Sequence, residues 1–273
     1  MTLPNLIGIG VPRAGTTWLY QLLASHPDVY MSPTKEIHFF DWHYSKGEKW
    51  YRQFFKGAGR EVNVIGEYTP HYLYYPGVPE RIAAMPSINK LMVMLRNPVD
   101  RTFSHYIWQM QLDNYQGSFE DFLEDYPDRV EKSHYSTNLR RFFEWFDRDQ
   151  LLVLIHERAF RDIEGTIDQI AEFLEIGYSA FPEEAGERRV NTAKVPRYPY
   201  VRQLASQTGH FLRNANLGWL ADVGARVGIK RLLDQPQPRP QMNEKTRAEL
   251  FDYYTPEISE LELLLGTSLD EWT

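Results

Sequence analysis

Cysteine is absent from this 273-residue chain. That excludes a disulfide framework and any thiolate metal site, and a cytoplasmic enzyme is the simplest expectation. Long apolar runs are missing too. None approaches the roughly 20 residues that cross a bilayer, so no integral membrane segment is expected. The opening Met1-Thr2-Leu3-Pro4-Asn5 has no basic segment followed by an apolar one, and no signal peptide is visible. Positive charge is not in excess either. The formal net charge is −7, which argues against nucleic acid as a partner, and a polyanion would need a local basic cleft. Neither an internal repeat nor a shift of composition marks a boundary, so residues 1–273 are read as one domain.

What the chain does have is concentrated in residues 6–23, LIGIGVPRAGTTWLYQLL. The apolar run 6–9 predicts a buried strand. The Gly- and Pro-rich stretch 10–17 ends it, and Trp18, Leu19, Leu22 and Leu23 then recur at helical spacing. A strand, a glycine turn and a helix start together make an anion site, because unpaired N–H groups and the positive end of the helix dipole converge. The spacing from Gly10 to Gly15 is that of a triphosphate P-loop. The lysine that should follow the second glycine is replaced by Thr16, and a cation stands inside the loop as Arg13. On spacing alone, an ordinary strand-to-helix turn remains an equal reading.

Further strands are expected at 29–31, 62–67, 90–95 and 150–155, alternating with helical segments. The helices expected are 79–85 with Arg81 toward solvent, one from Pro98 capped by Asn97, 118–124 capped by Ser118, 135–146, 159–174, and 243–265 broken near Pro256. At 121 an aspartate stands where a full capping box has Glu or Gln. The alternation predicts an α/β fold: a P-loop-like, mainly parallel central sheet flanked by helices, with a mostly helical C-terminal third. Residues 181–200 turn irregular and basic, with Arg188, Arg189, Lys194 and Arg197.

A second constellation lies in 91–106, LMVMLRNPVDRTFSHY. Arg96 stands at the carboxyl end of a strand, where open α/β sheets place ligand groups, and Ser104 lies two turns into the next helix. Such a pair can grip a phosphate, the arginine through its forked donors. A core ion pair for Arg96 is the competing reading. With both segments in view, the chain resembles the sulfotransferases that use 3′-phosphoadenosine 5′-phosphosulfate (PAPS). The Pro-Arg loop is similar to that of tyrosylprotein sulfotransferases, and the Arg96–Ser104 spacing to the family's 3′-phosphate motif. Residues 36–42, EIHFFDW, and 67–72, EYTPHY, resemble cleft segments of heparan sulfate and other carbohydrate sulfotransferases.

The resemblance implies that Arg13, Ala14, Gly15, Thr16 and Thr17 hold the 5′-phosphosulfate, and that Arg96 and Ser104 hold the 3′-phosphate. It places Trp18 on the adenine, or else in the core, and Lys194 in a strap over the nucleotide. PAPS is then the co-substrate and PAP the product, with no metal required. Glu36 is the implied general base, desolvated by Ile37, Phe39 and Phe40, with a plain ion pair to Lys35 or Arg13 as its competing reading, and Arg13 is the group that neutralises the leaving oxygen. His38 orients Glu36, binds the acceptor or replaces Glu36 as base; Asp41, Glu67, Tyr68 and His71 complete the acceptor pocket. The acceptor is expected to be a glycan, glycolipid or other small molecule bearing a hydroxyl. Sulfation of an amine, and a P-loop kinase or NTPase, are the alternatives. One departure matters: heparan sulfate enzymes carry a lysine where this chain has Tyr68, which is expected to stack on a sugar or another ring.

Overall fold

The computed structural model describes residues 3–113, 115–182 and 240–272. Five strands, β1 (Leu6–Gly10), β2 (Val29–Met31), β3 (Val64–Tyr68), β4 (Lys90–Leu95) and β5 (Leu151–Ile155), form one sheet. Their order is β2-β3-β1-β4-β5, and every neighbouring pair is parallel. A parallel sheet is covered on both faces, so its strands are unbroken apolar runs rather than alternating ones. Accordingly β1 and β3 are buried throughout, as is β4 beyond Lys90. The α/β expectation is borne out.

The helices among the described residues are α1 (Thr16–Ala24), α2 (Gly47–Tyr51), α3 (Val78–Ala83), α4 (Pro98–Leu112), α5 (Phe119–Asp125), α6 (Pro127–Glu131), α7 (Tyr135–Phe143), α8 (His156–Arg161), α9 (Ile163–Leu174) and α10 (Glu244–Leu265). None is long and apolar enough to cross a membrane. From β1 the chain runs through α1 to β2 at one edge, returns through β3, and crosses β1 to reach β4. The segments after β1 and β4 therefore leave in opposite directions. Between neighbouring strands that arrangement opens a crevice at their carboxyl ends, the usual ligand position in open α/β sheets. The amide of Val11 donates to the Met94 carbonyl (3.0 Å) and carries the ladder to the lip of that crevice.

Four helix expectations change in detail. The segment 159–174 is two helices, because Asp162 leaves the helical region (φ −132°, ψ 85°) and its carboxylate accepts from the Gly165 amide (2.9 Å) to start α9. Pro256 does not break α10. A helix-interior proline costs about 3 kcal/mol. Leu250, Tyr254, Ile258 and Leu261 of α10 are buried, and large apolar side chains contribute roughly 1.5–3 kcal/mol each, so packing outweighs the lost bond. Asp121 completes the capping box, accepting from the Ser118 amide (2.8 Å) while its own amide donates to Ser118 Oγ (3.1 Å). Arg81 does not face solvent: its Nη1 donates to the Phe40 carbonyl (2.6 Å) and the Asp41 carbonyl (3.3 Å).

Tyr68 ends β3 fully buried, with its hydroxyl donating to the Gly10 carbonyl (2.7 Å). Its ring occupies the space beside Gly8, where an added Cβ would lie 2.1 Å from the ring. Gly8→Ala is therefore expected to destabilise the fold by at least the roughly 1–3 kcal/mol of an overpacked core. Tyr68→Ala should remove most of that penalty, so the double variant should cost far less than the sum of the single ones. Denaturant unfolding of the three variants tests this, and additive costs would refute it.

Candidate active site

The first half of the site sits in the crevice between β1 and β4. Gly15 caps α1 at φ +98°, and no side chain caps the helix. The N–H groups of its first turn are thus left for an anion. Arg13 also has a left-handed backbone (φ 75°). Its Nε donates to Ser104 Oγ (3.3 Å), and Arg96 Nη1 donates to the Arg13 carbonyl (3.0 Å). Two segments far apart in sequence meet here: the loop cation on one, the strand-end arginine and the helix hydroxyl on the other. Thr17 is half-buried, Thr16 buried, and Ala14 wholly buried, so Ala14 offers only its backbone.

Several supports of this half carried no signal in the sequence. His156, the first residue after β5, meets the Ala14 carbonyl through Nδ1 (2.8 Å). Burial, with Arg96 nearby, lowers its pKa to about 4, so the ring is neutral and Nδ1 carries the donated proton. The Tyr135 hydroxyl donates to the Arg96 carbonyl (2.9 Å). Glu157 accepts from the Asn97 amide (3.0 Å) and from Trp272 Nε1 (2.7 Å), tying the segment after α10 to the end of β4. Trp18 lies in the interior. It is 2% exposed and packs on Phe160 with ring centroids 4.9 Å apart, so the core reading holds. Lys194 lies outside the described residues.

The second half follows β2 and β3. Glu36 (φ 63°) and His38 (φ 55°) both adopt left-handed conformations. For non-glycine residues these cost about 1–3 kcal/mol each unless the surroundings impose them. Here they are imposed. The Glu36 amide donates to the Tyr68 carbonyl (3.0 Å) and the His38 amide to Thr69 Oγ1 (3.4 Å). The Phe39 and Phe40 amides donate to the Tyr72 hydroxyl (2.8 and 3.3 Å). Those hydroxyls in turn donate to one buried carboxylate: Thr69 to Glu67 Oε2 (2.7 Å), Tyr72 to Oε1 (2.7 Å), with Tyr51 adding a bond to Oε1 (3.1 Å). Glu67 is thus not a pocket-lining residue. It is the hub from which the 36–42 loop hangs, and burial pushes its pKa up to about 7 against the pull of its three donors. Tyr68 likewise points inward and presents no ring to an acceptor.

At the surface of this loop the Glu36 carboxylate is 40% exposed and pairs with Lys35 Nζ (2.7 Å). The expected desolvation is not found: Ile37, Phe39 and Phe40 are buried in the core and do not enclose it. Asp41 Oδ2 meets His38 Nδ1 (2.8 Å) from a wholly buried side chain, so Asp41 orients the imidazole. Trp42 stacks on the same ring at 3.7 Å and donates from Nε1 to the Tyr75 hydroxyl (2.8 Å). His71 lies beside His38, ring centroids 5.6 Å apart, and burial followed by the neighbouring His38 lowers its pKa to about 4. Polar atoms of Glu36, His38 and His71 all lie within 4.8 Å of one another.

Residues 3–193 match the family model described as a sulfotransferase domain. The chain belongs to the sulfotransferase domain family. It is 32% identical over 181 residues to heparan sulfate glucosamine 3-O-sulfotransferase 3A1 of Mus musculus, covering 63% of this chain and 46% of that protein. It is 28% identical over 295 residues to the mouse bifunctional heparan sulfate N-deacetylase/N-sulfotransferase 1, covering 98% of this chain and 30% of that protein. The chain therefore spans less than half the length of these two relatives. A crystal structure of a sulfotransferase from Alicyclobacillus acidocaldarius superposes with a TM-score of 0.72 at 23% identity, covering 100% of this chain and 99% of that one. That likeness confirms the fold.

In this sulfotransferase-family chain, the residues expected from sequence thus fall into two groups and a remainder. Arg13, Ser104 and Arg96 come together at one crevice; Glu36, His38, Asp41 and His71 come together at the wall beside it. Glu67, Tyr68 and Trp18 are interior.

Proposed function

We propose that the protein transfers the sulfuryl group of PAPS to a hydroxyl of a carbohydrate, glycolipid or other small-molecule acceptor and releases PAP. The observation that carries this reading is the contiguity of Arg13, Ser104 and Arg96 at the β1/β4 crevice. A triphosphate loop needs a lysine after its second glycine, and Thr16 stands there. A nucleotide with a separate 3′-phosphate instead needs a second cationic grip, which Arg96 and Ser104 provide.

The chemistry then follows from charge. The acceptor oxygen bonds to sulfur in line with the breaking bond between sulfur and the 5′-phosphate oxygen, and its proton passes to Glu36. Arg13 stabilises the negative charge that collects on the departing oxygen. No metal is required in this reading. The relatives support both a hydroxyl and an amine acceptor, since one is named for 3-O-sulfation and the other for N-sulfation. A cytoplasmic location and a single domain over residues 1–273 belong to the same proposal; cell fractionation tests the first and limited proteolysis the second.

Thermal shift tests the nucleotide. PAP should stabilise the fold without magnesium and ATP with magnesium should not; the reverse result would overturn the reading. Arg96→Ala should weaken PAP by the worth of a charge-assisted hydrogen bond, about 1.5–3 kcal/mol, or roughly tenfold to 150-fold. Calorimetric titration checks it, and an unchanged affinity would remove Arg96 from the site. An acceptor screen with PAPS, read by mass spectrometry, separates hydroxyl from amine products.

A further inference from the structure

We propose that Glu36, His38 and His71 form a binding site for a divalent transition-metal ion of the zinc class, which ties up the Glu36 carboxylate. One ligand atom from each of the three lies within 4.8 Å of the others. Zinc bonds to nitrogen and oxygen of about 2.0–2.2 Å would draw them closer. The exposed Glu36 side chain has the torsional freedom to close that distance.

Three features beyond proximity favour an ion here. The first is the buried carboxylate of Asp41, which engages His38 Nδ1 at 2.8 Å and leaves Nε2 as the free nitrogen. A carboxylate behind an imidazole is the arrangement that fixes ring and tautomer for metal ligation. The second is Trp42, stacked on His38 at 3.7 Å with an interplanar angle of 5°, so little ring motion remains to be lost on binding. The third is His71, whose buried Nδ1 has no hydrogen-bond partner among the described residues.

Lys35 Nζ now holds Glu36 Oε1 at 2.7 Å, a partly exposed pair of the kind worth about 1 kcal/mol or less. An ion bound by two nitrogens and a carboxylate displaces it readily. Two imidazoles and one oxygen select zinc, nickel or cobalt over magnesium or calcium. The chain has no cysteine to compete for them.

Occupancy has a consequence for transfer that rests on Glu36 being the base: a carboxylate bound to the ion cannot take the acceptor proton. The class of effect is reversible inhibition by a transition metal, relieved by a chelator.

The test is calorimetric titration of the metal-free full chain with zinc and with magnesium. Wild type should bind one zinc at this site and no magnesium. Asp41→Asn should weaken zinc roughly 10–100-fold, the usual cost of losing a ligand's supporting partner, and His71→Ala should weaken it at least as much. PAP titration of the same variants reports that the fold is intact. Absence of zinc binding, or zinc binding unchanged in both variants, overturns the proposal. Zinc binding that depends on Asp41 and His71 while transfer continues at full rate would leave the metal site standing and remove Glu36 as base.

Discussion

Glu36→Gln is expected to abolish transfer while leaving PAP affinity unchanged. A positioned general base contributes roughly 10²–10⁴-fold to rate, and the fall in kcat should lie in that range. Glutamine keeps the side-chain volume and, through the Glu36 amide on the Tyr68 carbonyl (3.0 Å), the loop anchorage. It loses the capacity to accept a proton and, with the charge, the ion pair to Lys35. The proposed PAP half, around Arg13, Arg96 and Ser104, hangs from β1 and β4, so nucleotide affinity should not move. Single-turnover assays and calorimetric titration separate the two effects. Full activity in the variant would transfer the base role to His38, whose orientation on Asp41 leaves a nitrogen free.

Glu67→Gln should damage both stability and turnover although Glu67 is wholly buried. The carboxylate accepts three hydroxyl donors, from Tyr51, Thr69 and Tyr72. An amide offers one accepting oxygen and a donating nitrogen, so at least one hydroxyl is left unpaired at a cost of about 1–3 kcal/mol. The Thr69 and Tyr72 hydroxyls receive the amides of His38, Phe39 and Phe40, and their reorientation releases the loop that carries Glu36 and His38. The expected kinetic signature is a lowered kcat with PAP affinity preserved.

The same residue predicts a pH dependence. Its pKa rises from 4.5 to about 7 on folding, so the native state binds the proton more tightly than the unfolded chain. Its contribution is fully present below about pH 4.5 and is lost as pH rises through about 7, to the extent of roughly 3 kcal/mol. Glutamine does not titrate. Unfolding free energy of wild type minus that of Glu67→Gln should therefore fall across this window and level off above it. His71 and His156, whose pKa values fall on folding, slope the other way but do so in both proteins and cancel. A flat difference would refute the assignment.

The sheet was legible because a parallel sheet writes itself as apolar runs, and the loop at the β1/β4 crevice because its glycines, Arg13 and the helix start are close in sequence. Arg96 and Ser104 were legible for a related reason: a strand end and the following helix leave little freedom in where they point. The 36–42 loop and its supports were only half legible. Along β3 every residue is buried, so alternation could not tell that Glu67 and Tyr68 turn inward. Arg81 and His156 looked like ordinary polar residues because their partners, the Phe40 and Ala14 carbonyls, lie 41 and 142 positions away. Trp18 sits on a helix that is apolar on its buried face, and only Phe160 decides that the ring belongs to the core.

The close fit of Tyr68 over Gly8 bears on any redesign of acceptor choice. A lysine installed at 68 alone would not restore a cation to the cleft. It would bury its ammonium beside Gly8 and give up the hydroxyl that holds the Gly10 carbonyl, loosening the phosphate loop as well. The portable module is larger: the 36–42 loop together with Glu67, Thr69 and Tyr72, exchanged as one cassette. Within it the exposed Trp42, stacked on His38 and braced by Tyr75, is the position where a graft would change the outer face of the loop while leaving the Glu67 hub in place.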